Sequence, residues 1–129
     1  MIALADTSAL IAREQGRTTA PPLERRVERV VVSIVTVGEL RLGVLRARDL
    51  ATRAKRLSTL RLAESLEPLG LDSRVSYAWA DLVAALREAG TRMPVNDSWI
   101  AATALAYGFA VLTQDADYDV VPNLDVVRI

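Results

Sequence analysis

The feature that most constrains this chain is the character of its short β-type runs. Residues 2–5 (IALA), 30–34 (VVVSI), 109–113 (FAVLT) and 126–129 (VVRI) are apolar almost throughout and do not alternate apolar with polar positions. A strand with one wet face alternates; a strand that does not must be covered on both faces. Helical patterns lie between these runs, at 8–13, 23–29, 37–48, 50–64, 73–89 and 98–107, and residues 66–69 form a weaker fifth strand. The alternation predicts a three-layer α/β/α sandwich around a mostly parallel sheet of four or five strands. Gly90 and Gly108 stand where helix C-caps belong, and residues 16–22 read as a loop and not as a linker. With 129 residues, of which 51% are hydrophobic and 25% charged, residues 1–129 are expected to form a single domain with one core.

Composition removes several chemistries. Without cysteine there is no disulfide, thiolate nucleophile or zinc–thiolate site, and without histidine the commonest acid/base group and nitrogen ligand are missing. Ser8, Ser33 and Ser98 therefore have no histidine to activate them. No G-x-x-x-x-G-K-[ST] occurs and Lys55 is the only lysine, which excludes a P-loop enzyme. A phosphoacceptor domain would also gather acids at strand ends, but it would want a lysine at a neighbouring strand end. No apolar run is long enough to span a bilayer and no basic leader precedes the first one, so a cytoplasmic protein without membrane contact is expected. Net charge is zero yet uneven. Residues 41–61 carry six arginines and Lys55 against Asp49 alone, a stretch that suits either phosphate contacts or a solvated helical face.

The acids fall at telling places. Asp6 follows the first strand, and Asp115 follows FAVLTQ with Asp117 two residues later. Ligands of open parallel sheets bind at the carboxyl ends of strands, and neighbouring strand ends lie about 5 Å apart. Asp97 opens the helix NDSWIAATALA at the end of its apolar stripe, and Glu39 lies near the start of the helix after the second strand. Each has a structural alternative: Asp6, Asn96 or Asp97, and Asp115 as N-caps, and Thr36 with Glu39 as a capping box. Caps alone do not explain acids from separate elements sharing one sheet edge with no base beside them. Two carboxylates 4 Å apart repel by about 1 kcal/mol in water and about 4 kcal/mol at an effective dielectric of 20. Protons or a hard divalent cation must relieve that repulsion, and an all-oxygen donor set points to Mg²⁺ or Mn²⁺.

ADTSALI at 5–11, SIVTVGEL at 33–40, NDSWIAATA at 96–104 and VLTQDADY at 111–118 resemble, in order and spacing, the four motifs of PIN-domain ribonucleases, and the chain is similar in length to VapC toxins. The resemblance implies a PIN-like fold and Mg²⁺-dependent cleavage of RNA, with Mn²⁺ able to substitute. It carries Asp6, Glu39, Asp97 and Asp115 to the four acidic positions, with Asp117 as an accessory acid. Asp6, Asp97, Asp115 and Asp117 become the candidate metal ligands and Glu39 the group that orients or deprotonates water. Thr7, Ser8, Asn96 and Thr113 are candidates to support them, or ordinary cap and turn polarity. Gln114 and Tyr118 depart slightly from the family pattern. A homodimer and a cognate VapB-type antitoxin are further implications, with surplus apolar surface around Leu40, Val44, Leu45, Leu57 and Leu60 as a docking candidate. A housekeeping RNA-processing nuclease and a non-catalytic binding module stand as alternatives.

Overall fold

The computed structural model describes residues 1–21 and 25–129. Four strands, β1 (Ile2–Ala5), β2 (Arg29–Val32), β3 (Ala110–Thr113) and β4 (Val126–Arg128), form one sheet in the order β2-β1-β3-β4. Every pairing is parallel. The helices are α1 (Thr7–Glu14), α2 (Ile34–Leu45), α3 (Leu50–Ser65), α4 (Ser73–Glu88) and α5 (Val95–Tyr107), and a short 3₁₀ helix spans Ala116–Val120.

The uninterrupted apolar strands are explained by two cores. Successive strand side chains point to opposite faces. Leu4, Val31 and Val111 pack with Leu82 and Leu86 of α4 and Ile100, Ala101 and Ala104 of α5. Ala5 and Val32 pack on the other face with Leu10 of α1, Leu40 and Val44 of α2, and Leu60 of α3. The three layers are therefore α4–α5, sheet, α1–α3. Leu4 is completely buried, and truncating such a side chain to alanine costs about 2–5 kcal/mol.

Several sequence expectations are corrected. Arg29 begins β2 and so does not end a helix, while residues 23 and 24 of the expected 23–29 helix lie outside the described residues. The weak fifth strand is reduced to one bridge, Ser33 to Leu69, held by Leu69 N–H to Val32 O and Ile34 N–H to Leu69 O, each 2.9 Å. It cannot extend, because Pro68 has no N–H and Glu67 is left-handed at φ 52°. Phe109 belongs to a helix terminus and not to β3: Gly108 at φ 70° lets the Phe109 N–H reach back to Ala104 O at 2.9 Å. Among the described residues no helix is long and apolar enough to cross a membrane.

Candidate active site

All four strands run the same way, so their carboxyl ends share one edge, and that edge carries the acids. β1 and β3 are neighbours, with Ala5 opposite Leu112, and the Asp6 N–H continues the ladder to Leu112 O at 3.0 Å. Asp6 is only 2% exposed. Its Oδ1 accepts from Ala9 N–H at 2.9 Å and Ser8 Oγ at 2.8 Å, and its Oδ2 accepts from Thr113 Oγ at 2.7 Å. The residue is thus the N-cap of α1 as well as a site candidate. Burial pushes its carboxyl up; the three hydrogen bonds oppose that, and the charge of Asp115 adds to it. A carboxylate has about four acceptor positions, which leaves Oδ2 free to take one more partner.

In front of this floor lies a half-buried rim. Oxygens of Asp97, Asp115 and Asp117 all lie within 4.8 Å of one another. Asp115 caps the 3₁₀ helix, its Oδ1 accepting from Asp117 N–H at 2.9 Å while its own N–H donates to Thr113 Oγ at 2.8 Å. Thr113 therefore joins floor to rim. Asp97 is not a cap: α5 begins at Val95, three residues before the expected Ser98, with Pro94 at the N-cap and no side-chain cap bond, so Asp97 sits in the first turn with its carboxylate free for the site. Its Oδ1 accepts from the Tyr118 hydroxyl at 3.3 Å. Among the described residues the ion pairs are the N-terminus with Glu28, Arg25 with Asp125, Arg29 with Glu67 and Arg128 with Asp119. None neutralises a rim acid. Burial first, then the charge of Asp115 and hydrogen bonding with Asp117, push the Asp97 carboxyl up to about 7.

Glu39 faces the same corner from α2. The capping-box alternative is overturned: the N-cap of α2 is Ser33, whose Oγ accepts from Val35 N–H at 3.1 Å, and Thr36 is buried inside the helix. Glu39 accepts instead from Thr7 Oγ at 2.7 Å, a contact between helices, and Thr36 Oγ lies 3.2 Å from the same Thr7 oxygen. Ser8 bridges Asp6 and the Gln114 N–H, the latter at 3.1 Å. Asn96 is exposed on the first turn of α5 and takes no part in this network.

Sequence reasoning missed the role of Tyr118. It is completely buried, and its hydroxyl is pushed up by burial and by the surrounding charges of Asp6, Asp97 and Glu39. One buried phenol thus senses acids from three separate elements. An aromatic three residues beyond Asp115 is visible in the sequence, but nothing in the spacing reveals where its hydroxyl points.

A parallel sheet with acids from four segments at its carboxyl edge defines a class, and the PIN-domain family model matches residues 3–124: the chain belongs to that family. Its relatives narrow the assignment to the VapC ribonucleases. The chain is 54% identical to Ribonuclease VapC4 of Mycobacterium tuberculosis, over 98% of this chain and 96% of that one, and 39% identical to Ribonuclease VapC5 of the same organism, over 96% and 93%. In structure it is similar to VapBC-5 of M. tuberculosis, a member of the VapBC family of toxin-antitoxin systems, with a TM-score of 0.86 at 33% identity over 99% and 98% of the two chains. FitAcB from Neisseria gonorrhoeae follows at a TM-score of 0.73 and 29% identity over 98% and 96%.

Proposed function

We propose that this chain, a single PIN domain over residues 1–129, is a divalent-metal-dependent endoribonuclease acting in the cytoplasm as the toxin of a toxin–antitoxin pair. The observation that carries the reading is the rim itself: three carboxylates within 4.8 Å of one another, half-buried and in no ion pair among the described residues. The ribonuclease names of the relatives point the same way.

The donor set fits a hard cation, because only oxygen ligands are offered. Asp97, Asp115 and Asp117 would hold Mg²⁺, or Mn²⁺ in its place, with Asp6 as a further candidate ligand at the same sheet edge. Such an ion supplies a lowered pKa for bound water and offsets charge on the scissile phosphate. The protein's own groups set the geometry. Thr113 and Ser8 fix the Asp6 carboxylate, and Tyr118 fixes that of Asp97. Glu39, aimed by Thr7, orients the attacking water and accepts its proton. Asn96 flanks the cluster on the solvent side.

A VapB-type antitoxin and a second copy of the chain are the partners we infer from the toxin–antitoxin complexes that this fold resembles. The docking surface expected from sequence needs adjustment. Leu40, Val44 and Leu60 are core, whereas Leu42, Leu45 and Leu50 are exposed at 45%, 57% and 85%.

Incubating structured RNAs with purified protein and Mn²⁺ tests the proposal. Wild type should cut, and Asp97→Asn should lose roughly 10²–10³-fold in rate, the several kcal/mol that metal assistance supplies. Equal cutting by the variant would remove Asp97 from the machinery.

A further inference from the structure

The outer side of the same corner carries a cation that its neighbours do not neutralise. α1 ends in a turn in which Gly16, at φ 67°, lets the Arg17 N–H reach Ala12 O at 2.8 Å, which fixes the main chain of Arg17. The side chain is held as firmly. Its Nε donates to Gln15 Oε1 at 2.8 Å and one terminal nitrogen donates to Gln114 Oε1 at 3.0 Å, while Gln114 Nε2 returns a hydrogen bond to Arg17 O at 2.6 Å. Gln114 is the chain neighbour of Asp115, and its N–H donates to the same Ser8 hydroxyl that donates to Asp6. Arg17, Gln114, Ser8 and Asp115 line one open cavity of about 380 Å³.

A guanidinium that can reach a carboxylate ordinarily closes onto it as a bidentate pair, and Asp115 lines the same cavity. Arg17 instead rests on two neutral amide oxygens and forms no ion pair among the described residues. A guanidinium has five N–H groups, so most of them stay available to an incoming acceptor. The acids repel an RNA strand, and a planar cation held at their edge is suited to a phosphodiester.

We propose that Arg17 is a phosphate-positioning residue, binding an RNA linkage next to the one that lies at the acids, and that Gln114 is the side chain that holds it there. The inference rests on the ribonuclease reading and adds a subsite to it. Phosphate contacts place a strand without reading its sequence, so Arg17 sets register along the backbone and not base preference.

The test uses full-length protein carrying Asp97→Asn to suppress cleavage, with a fluorescein-labelled single-stranded RNA of mixed sequence, and follows anisotropy over a series of salt concentrations. Adding Arg17→Gln should weaken binding roughly three- to tenfold at low salt. It should also reduce the slope of log affinity against log salt by about 0.7, the value for one lost contact on a single strand. Arg17→Lys should keep the slope, and Gln114→Leu should move binding in the same direction by less. Mn²⁺ uptake by Arg17→Gln in the otherwise wild-type chain should be unchanged. If wild type cuts RNA but Arg17→Gln leaves slope and affinity alone, or if Mn²⁺ uptake falls with it, the subsite is overturned while the nuclease stands. A wild type that neither binds nor cuts RNA overturns both.

Discussion

Asp6 and Asp97 occupy the same corner and are treated in opposite ways. Asp6 is enclosed, and hydrogen bonds from Ala9, Ser8 and Thr113 engage both its oxygens. Asp97 is half-buried, leans on one long contact from Tyr118, and faces two more carboxylates. The floor is a satisfied buried charge of the kind a fold tolerates. The rim is an unsatisfied cluster that weakens the metal-free protein and gains its partner from outside. Within one corner, stability therefore falls chiefly to Asp6 and metal binding chiefly to the rim acids.

The largest effect should come from the rim. Asp115→Asn is expected to cut RNA cleavage by roughly 10²-fold or more while leaving urea stability within about 0.5 kcal/mol or improved, because a repelling charge disappears. An enfeebled fold with retained cleavage would reverse the contrast. At the floor, Asp6→Ala should cost about 2–3 kcal/mol in a urea melt, since a cap is lost and buried donors are orphaned. A cost below that of a typical surface substitution would show that the floor is not structural. Thr113→Val removes the hydroxyl shared by Asp6 and Asp115 and should cost about 1 kcal/mol.

The pH dependence separates the two groups further. With its carboxyl pushed up to about 7 from an ordinary 3.8, Asp97 binds a proton more tightly in the folded chain than in the unfolded one. Its contribution to stability is fully present below the unfolded value and is lost as pH rises through about 7. Metal-free protein should therefore melt at a lower temperature at pH 8 than at pH 5.5, and Asp97→Asn should flatten that dependence. Mn²⁺ should raise the melting temperature most at the higher pH, by mass action on the ionised rim. A slope indifferent to Asp97→Asn would contradict the assignment.

Much of this was legible in the chain. Unbroken apolar strands required a sheet covered on both faces, and neighbouring parallel strands in it would bring Asp6 and Asp115 to one edge; β1 and β3 are such neighbours, with Ala5 against Leu112. The T-x-x-E pattern misled, because a capping box is a local pattern and the true cap, Ser33, lies three residues earlier. The partner of Glu39, Thr7, is 32 residues away in the chain, beyond the reach of local spacing. The start of α5 was missed for a related reason: Pro94 supplies no side-chain cap, so the usual signal was absent. The grouping of Asp97 with Asp117, and the aim of Tyr118 at Asp97, depend on the 3₁₀ helix after β3, which apolar periodicity does not encode.

Calorimetric titration of Mn²⁺ into metal-free protein at pH 7.5 addresses the rim most directly. Wild type should take up Mn²⁺ with measurable heat, Asp97→Asn and Asp117→Asn should each weaken that uptake by about tenfold or more, and Asn96→Ala should leave it unchanged. Uptake of the same strength in wild type and Asp97→Asn would show that these carboxylates do not hold the ion.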